Sequence, residues 1–247
     1  MFQVQLGVEY AAMEGGTSEG TQTKYFKDGY WYKSDMVGNE GEIEYMVSSI
    51  LKYSSLKNKE YVVYEQGIIN GRRGCRSKNF LRQDCTFITF HRIHKNLTGL
   101  GMNEKVNQCK TLEEKIQYVI YFMKKVCKLD VTDYLRKVFT LDYLILNEDR
   151  HFNNLGVILN EKGTYEAAPI FDNGKSLLNG NFSVKTNLSL KENMRRVICQ
   201  PFGGTHEMLY QCMGKGFEID TKSAIQFLSV QEESMSRDVL LHRIKEL

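Results

Sequence analysis

The spacing of apolar residues changes along the chain, from short extended runs in the first part to helical stripes in the second. Up to about residue 95 the runs Gln3–Tyr10, Gly29–Ser34, Tyr61–Ile69 and Cys85–Ile93 are β-branched, aromatic or loosely alternating, and each predicts a strand. One helix interrupts them: in Gly41–Lys52, residues Ile43, Met46, Val47, Ile50 and Leu51 recur at i, i+3, i+4, i+7 and i+8. Asn70–Arg82 reads as a polar connection between two strands. From Lys110 the period is helical. Thr111-Leu-Glu-Glu114 forms a capping box, and Leu112, Ile116, Val119, Ile120, Met123 and Cys127 make one apolar stripe. Asp130-Val-Thr-Asp133 caps a further helix, with Leu135, Val138 and Phe139 pointing inward; Ser229-Val-Gln-Glu232 caps a closing helix to Leu247. The pattern predicts an α+β fold of two lobes, residues 1–95 strand-rich and residues 96–247 helical.

The most informative stretch joins the two kinds of pattern. From Leu141 an apolar helix end breaks into a polar loop, Asn147–Asn154, then goes extended through Gly156–Leu159. A turn at Asn160–Gly163 leads to a second extended run, Tyr165–Phe171, which ends on Asp172. Asp149, Asn154 and Asp172 are thereby placed at the mouths of a helix and a hairpin. Phosphoryl transfer needs such a set: one carboxylate for the hydroxyl proton, and an amide oxygen with a second carboxylate to hold Mg²⁺ against phosphates. Asp and Asn also favour turns, so Asp-x-x-x-x-Asn alone is weak. Asp149-Arg150-His151-x-x-Asn154 followed by Phe171-Asp172 is far more specific.

The first part supplies matching pieces. Glu14–Phe26 is rich in Gly and hydroxyl residues, and such a loop between extended runs lets backbone N–H groups approach phosphate oxygens. Lys33 is the one lysine inside the strand that follows, and the amphipathic helix comes next. Loop, strand with lysine, helix with glutamate is the order of a kinase small lobe. Glu44 is the favoured partner for Lys33 because it opens the apolar face, with Glu40 and Glu42 as alternatives. In this order the end of the run Cys85–Ile93 is the hinge, and backbone near Phe90 and His91 faces adenine.

Composition narrows the alternatives. At 247 residues with a net charge of +3, the chain has room for two lobes and too little positive charge to argue for nucleic acid or a membrane surface. No apolar run approaches the length of a membrane span, and the N-terminus lacks a signal-peptide pattern. The six cysteines show no Cys-x-x-Cys pair and no His at zinc spacing, which predicts free thiols in a reducing cytoplasm.

With these residues in place, the chain resembles the HipA-like serine/threonine kinases, bacterial proteins with a kinase fold related to the phosphatidylinositol-3-kinase group. Their catalytic loop, Asn-x-Asp-x-His-x-x-Asn, is matched by Asn147, Asp149, His151 and Asn154. Their metal aspartate after a Pro-hydrophobic-aromatic run is matched by Pro169-Ile-Phe-Asp172, and their glycine loop is similar to Thr17-Ser-Glu-Gly-Thr-Gln-Thr-Lys24. The resemblance implies ATP and Mg²⁺ as cofactors, Asp149 as catalytic base with His151 orienting it or the loop, and Asn154 and Asp172 as metal ligands. It implies that Lys33, with Glu44, contacts the phosphates under a cover made by Thr17, Ser18, Glu19, Gly20 and Thr21. It also implies a protein substrate, autophosphorylation of Ser18 or Thr17, and a toxin that works with an antitoxin or regulatory partner. The likeness is to the compact form without an extra N-terminal subdomain, which a separate partner would supply. Asp172-Asn-Gly replaces the Asp-Phe-Gly of ordinary protein kinases, so their switch does not carry over. Competing readings are a lipid or small-molecule phosphotransferase of the same fold and a non-catalytic pseudokinase. Aminoglycoside and choline kinases place a histidine where this chain has Asn147.

Overall fold

The computed structural model describes residues 1–11, 23–180 and 184–247. A five-stranded sheet comes first, in the order β1-β4-β5-β3-β2. It is built from β1 (Phe2–Val4), β2 (Lys24–Lys27), β3 (Tyr30–Ser34), β4 (Tyr64–Ile69) and β5 (Arg72–Lys78). β1 joins β4 in parallel, and the other pairings are antiparallel.

The central strand β5 occupies the stretch that the sequence presents as a polar connection. Its turn explains how. Asn70 and Gly71 both have positive φ, 51° and 79°, the geometry of a two-residue hairpin turn that Asn-Gly adopts at little cost. The charged side chains of β5 are accommodated by their stems. Arg76 donates to Glu65 at 2.7 Å across the β4–β5 pair, and its guanidinium lies over the rings of Phe2 and Tyr30.

Helix α1 (Glu40–Ile50) lies against this sheet and buries Ile43, Met46, Val47 and Ile50 completely or nearly so. Its approach is set by backbone contact. A Cβ added to Gly41 would sit 2.5 Å from the carbonyl carbon of Gly74 on β5. Gly41→Ala is therefore expected to push α1 off the sheet and to cost about 1–3 kcal/mol, measurable by urea denaturation.

A second, three-stranded sheet has the order β6-β7-β8, from β6 (Thr86–Thr89), β7 (Gly156–Leu159) and β8 (Tyr165–Ala167). The sheet that holds Lys33 is thus complete by Lys78, and a division near residue 95 cuts through α2 (Phe90–Thr98). The helical part contains α3 (Met102–Val106), α4 (Leu112–Cys127), α5 (Thr132–Ile145), α6 (Leu190–Arg195), α7 (His206–Met213), α8 (Thr221–Ser229) and α9 (Met235–Lys245).

The caps decide the helix starts. Thr111 Oγ1 accepts from the N–H of Glu114 at 3.1 Å, and the Glu114 carboxylate accepts in return from Thr111. Asp130 accepts from the N–H of Thr132, as expected of a cap, but the N-cap position itself falls on Val131. The Ser229–Glu232 capping box does not form. Ser229 ends α8, its hydroxyl donates back to Gln226 O, and the closing helix starts from Ser234, whose Oγ accepts from Arg237 N–H. The helix before it had already used the first of those residues.

Candidate functional site

Three elements meet at Lys33. β3 carries it and presents it, 9% exposed, between two carboxylates: Glu44 of α1 at 3.2 Å and Asp172 at 2.7 Å. Glu40 and Glu42 are elsewhere. Glu40 accepts from the N–H groups of Met36 and Val37 ahead of α1, and Glu42 accepts from the hydroxyl of Ser234. Burial alone would lower the pKa of Lys33, but Asp172, aided by Tyr64 and Glu44, holds it well above the ordinary lysine value. Lys33 lies 5.5 Å from the ring centroid of Tyr64, whose hydroxyl accepts from the N–H of Asp172. Burial pushes Asp172 upward and is outweighed by Lys33 and Lys24, which hold its carboxyl below the usual range. Burial pushes Glu44 up against the pull of Lys33.

The polar loop between α5 and β7 is fixed from beneath. Asn147, fully buried, accepts the N–H of Asp149 on Oδ1 at 3.0 Å, and its carbonyl accepts from His206 Nε2 at 2.8 Å. Burial lowers the pKa of His206, in keeping with a neutral ring that donates through Nε2. Arg150 is wholly buried. Its guanidinium grips Asp142 of α5 at 2.9–3.2 Å, the carbonyl of Phe171 at 2.6 Å and Asn173 Oδ1 at 2.7 Å. Asn173 in turn donates its N–H to Glu44 at 3.0 Å. One chain of contacts therefore runs from α5 through Arg150 and Asn173 to Glu44 and Lys33. The departure at Asp172-Asn173-Gly174 has a role in it, because an aromatic residue at 173 offers Arg150 no acceptor.

Asp149 is exposed, yet the protein packed around its carboxyl displaces water and raises its pKa, while the nearby His151 counters the shift. His151 is half-buried, with Nδ1 lacking a partner. Burial raises Glu148, next to Asp149, to about 7. In this case the native state binds more protons than the unfolded chain between the ordinary glutamate value and about 7. Stability from Glu148 is then full below the ordinary value and lost as pH rises through about 7. Glu148→Gln is expected to flatten the decline in stability from pH 5 to 8, as followed by urea denaturation.

The metal reading can be tested on the donors. Asn154 is 2% exposed; its Nδ2 donates to the carbonyl of Asp149 at 3.1 Å, which leaves Oδ1 buried without a partner. An amide oxygen buried and unpaired in this way suits a hard cation such as Mg²⁺, whose remaining ligands would include carboxylate, water and phosphate oxygens. Among the described residues no group of three or more His, Cys, Asp and Glu side chains gathers as a self-sufficient metal cage.

Beside Lys33 is a small pocket lined by Trp31, Val62, Tyr64, Phe80, Leu81, Phe87 and Phe171, with Lys24 and Asp172 at its polar end. Phe80, Phe87 and Phe171 pack on one another with centroids 5.5–6.0 Å apart. A lining of this kind suits contact with the faces and edges of a flat aromatic ring. Phe90 and His91 do not line it. Thr89 caps α2 by accepting from Arg92 N–H, so the predicted strand turns helical after four residues and Phe90 enters the core against Tyr134. Asn79–Leu81 stand at the pocket instead. Thr17, Ser18, Glu19, Gly20 and Thr21 lie outside the described residues.

The structure thus gathers Lys33, Glu44 and Asp172 directly, and links Asp149, His151 and Asn154 to them through the loop. Sequence reasoning overlooked Asp142 and His206, for which no local signal exists, and the aromatic slot, whose members are scattered from residue 31 to residue 171.

No protein-family model matches the sequence, and no curated protein matches it. Among solved structures, the crystal structure of a Helicobacter pylori proinflammatory kinase, CtkA, matches with a TM-score of 0.69 at 16% identity, covering 98% of this chain and 93% of that one. At that identity the likeness is one of fold. The chain has a two-lobed, kinase-like fold, a strand-rich sheet joined to a helical part.

Proposed function

We propose that the protein is an ATP- and Mg²⁺-dependent kinase of the HipA-like type, transferring the γ-phosphoryl group to a serine or threonine hydroxyl of a protein. The observation that carries this reading is the lysine held between a helix glutamate and Asp172, with a buried, unpaired Asn154 oxygen in the loop that Arg150 ties to the residues on either side of Asp172. The fold shared with a protein described as a kinase supports it.

In this reading the adenine occupies the aromatic slot, and the walls of the slot keep water from the base. Lys33, kept charged by its two carboxylates, binds the phosphates. Asn154 and Asp172 hold Mg²⁺, which when bound neutralises charge on the transferring group. Asp149 accepts the proton of the acceptor hydroxyl, with Asn147 fixing its backbone and His151 beside it. The three ordered sequence motifs extend the proposal to a toxin restrained by an antitoxin, for which growth arrest on expression, lost in Asp149→Asn, is the expected sign.

The direct test is incubation with labelled ATP and Mg²⁺. Wild type is expected to bind Mg-ATP, seen as a rise in Tm, and to label itself or a protein acceptor. Asp149→Asn is expected to keep the rise in Tm and to lose about a hundredfold or more in rate. Binding without transfer to any protein would move the acceptor to a lipid or small molecule. Absence of binding would leave a pseudokinase.

A further inference from the structure

A second cavity, about 590 Å³, lies among the end of α5, α6, the start of α7 and the end of α9. Its wall includes Leu146, the residue before Asn147, and His206, whose ring donates to the Asn147 carbonyl. Leu146 is three residues from Asp149, so chain length alone places their Cα atoms within about 11 Å of each other.

The charge of this cavity is distinctive. Lys191 and Arg195 on α6 stand exposed at its rim. Arg243 of α9 is fixed: its guanidinium lies 4.1 Å from the ring centroid of Tyr143, donates to the Tyr143 carbonyl at 2.8 Å, and keeps a buried Nε without a partner. The eight-residue helix α7 begins here with its positive end, although Glu207 in its first turn offsets part of that field. One carboxylate already exploits the cluster. Glu246, exposed, sits 3.2 Å from Arg243, 3.3 Å from His242 and 3.6 Å from Lys191. Exposed pairs of this kind are weak and exchange readily.

We propose that this cavity is a specificity subsite for an acidic side chain of the peptide substrate, about three residues from the hydroxyl that receives the phosphoryl group. It rests on the reading of the protein as a protein kinase and adds the class of peptide. A bound aspartate or glutamate takes over the contacts that Arg243 and Lys191 now make with Glu246, and Arg195 closes on it from the rim. The spacing lets one extended peptide reach both the cavity and Asp149.

The test is fluorescence anisotropy with a serine peptide carrying aspartates at the third position on either side, against its alanine counterpart, in the full chain at low ionic strength. The acidic peptide is expected to bind about tenfold more tightly. Lys191→Glu with Arg195→Glu, and the milder Arg195→Gln, are expected to erase or reduce that difference. Glu246→Gln is expected to widen it about threefold by removing the internal competitor, a gain that misfolding does not produce. Equal binding of the two peptides, a preference that survives the double reversal, or a Glu246→Gln variant with unchanged preference overturns the subsite. The rise in Tm with Mg-ATP, measured on the same samples, keeps the two readings apart. If it persists without peptide preference, only the subsite falls; if it is absent, the kinase reading falls as well.

Discussion

Asp172→Asn is expected to lower phosphoryl transfer by at least about a thousandfold while leaving the fold in place. The substitution keeps shape and removes charge at the carboxylate that pairs with Lys33 and, in the proposed site, also holds the metal. Lys33 loses its nearer counter-ion, at 2.7 Å, and keeps only Glu44. The metal loses its only anionic protein ligand in the proposed set. Asn154 then offers a neutral oxygen alone, too little to bind Mg²⁺ against the phosphates. Rate and Mg²⁺ dependence measured together distinguish these losses: excess Mg²⁺ is expected to restore some nucleotide binding and little of the rate. The stability that Asp172 contributes is present above the ordinary carboxylate value and lost as pH falls, because its folded pKa is depressed. Acid denaturation of the variant is therefore expected to be shallower than that of wild type. Unchanged transfer would remove Asp172 from the chemistry.

Arg150→Met is expected to cost about 3–5 kcal/mol of stability, because it leaves Asp142 as a buried charge without its partner. Both residues are buried, Arg150 completely, and no solvent reaches the guanidinium to replace its contacts. For a chain of this length the Tm is expected to fall by about 6–20 °C. Activity is expected to fall further than stability alone dictates, since Phe171 and Asn173 flank Asp172 and both lose a donor. Combining Arg150→Met with Asp142→Leu removes both charges and is expected to recover much of the stability. The recovery is not expected to extend to activity, since the loop around Asp172 remains unheld. Thermal denaturation and transfer rates on the two single variants and the double variant form the cycle that checks this.

The extent to which the sequence revealed these parts followed from how local each signal is. The β3 lysine, α1, and the loop and hairpin between Asp149 and Asp172 were legible, because period and turn residues act within a few positions. β5 was not: its charged residues suggested solvent, and the Asn70-Gly71 pair, which turns the chain into a hairpin there, went unread. The run Cys85–Ile93 was read as one strand because its composition stays β-prone, whereas Thr89 redirects it through a single hydrogen bond. In the site, helical spacing pointed to Glu44 at the start of the apolar face of α1, where the structure has it 3.2 Å from Lys33. Arg150 stood inside the quoted motif, yet its partner Asp142 is a helix residue with nothing nearby to mark it as a buried anion. His206, 59 residues beyond the carbonyl it holds, is legible only in three dimensions.

The double hold on Asn173 bears on inhibitor chemistry. A compound that gains affinity by swinging the segment after Asp172 outward must strip Arg150 of an acceptor and Glu44 of a donor in a buried part of the structure. If the slot holds the nucleotide as proposed, that penalty favours flat scaffolds seated between Trp31 and Phe171 over chemotypes that need a displaced loop.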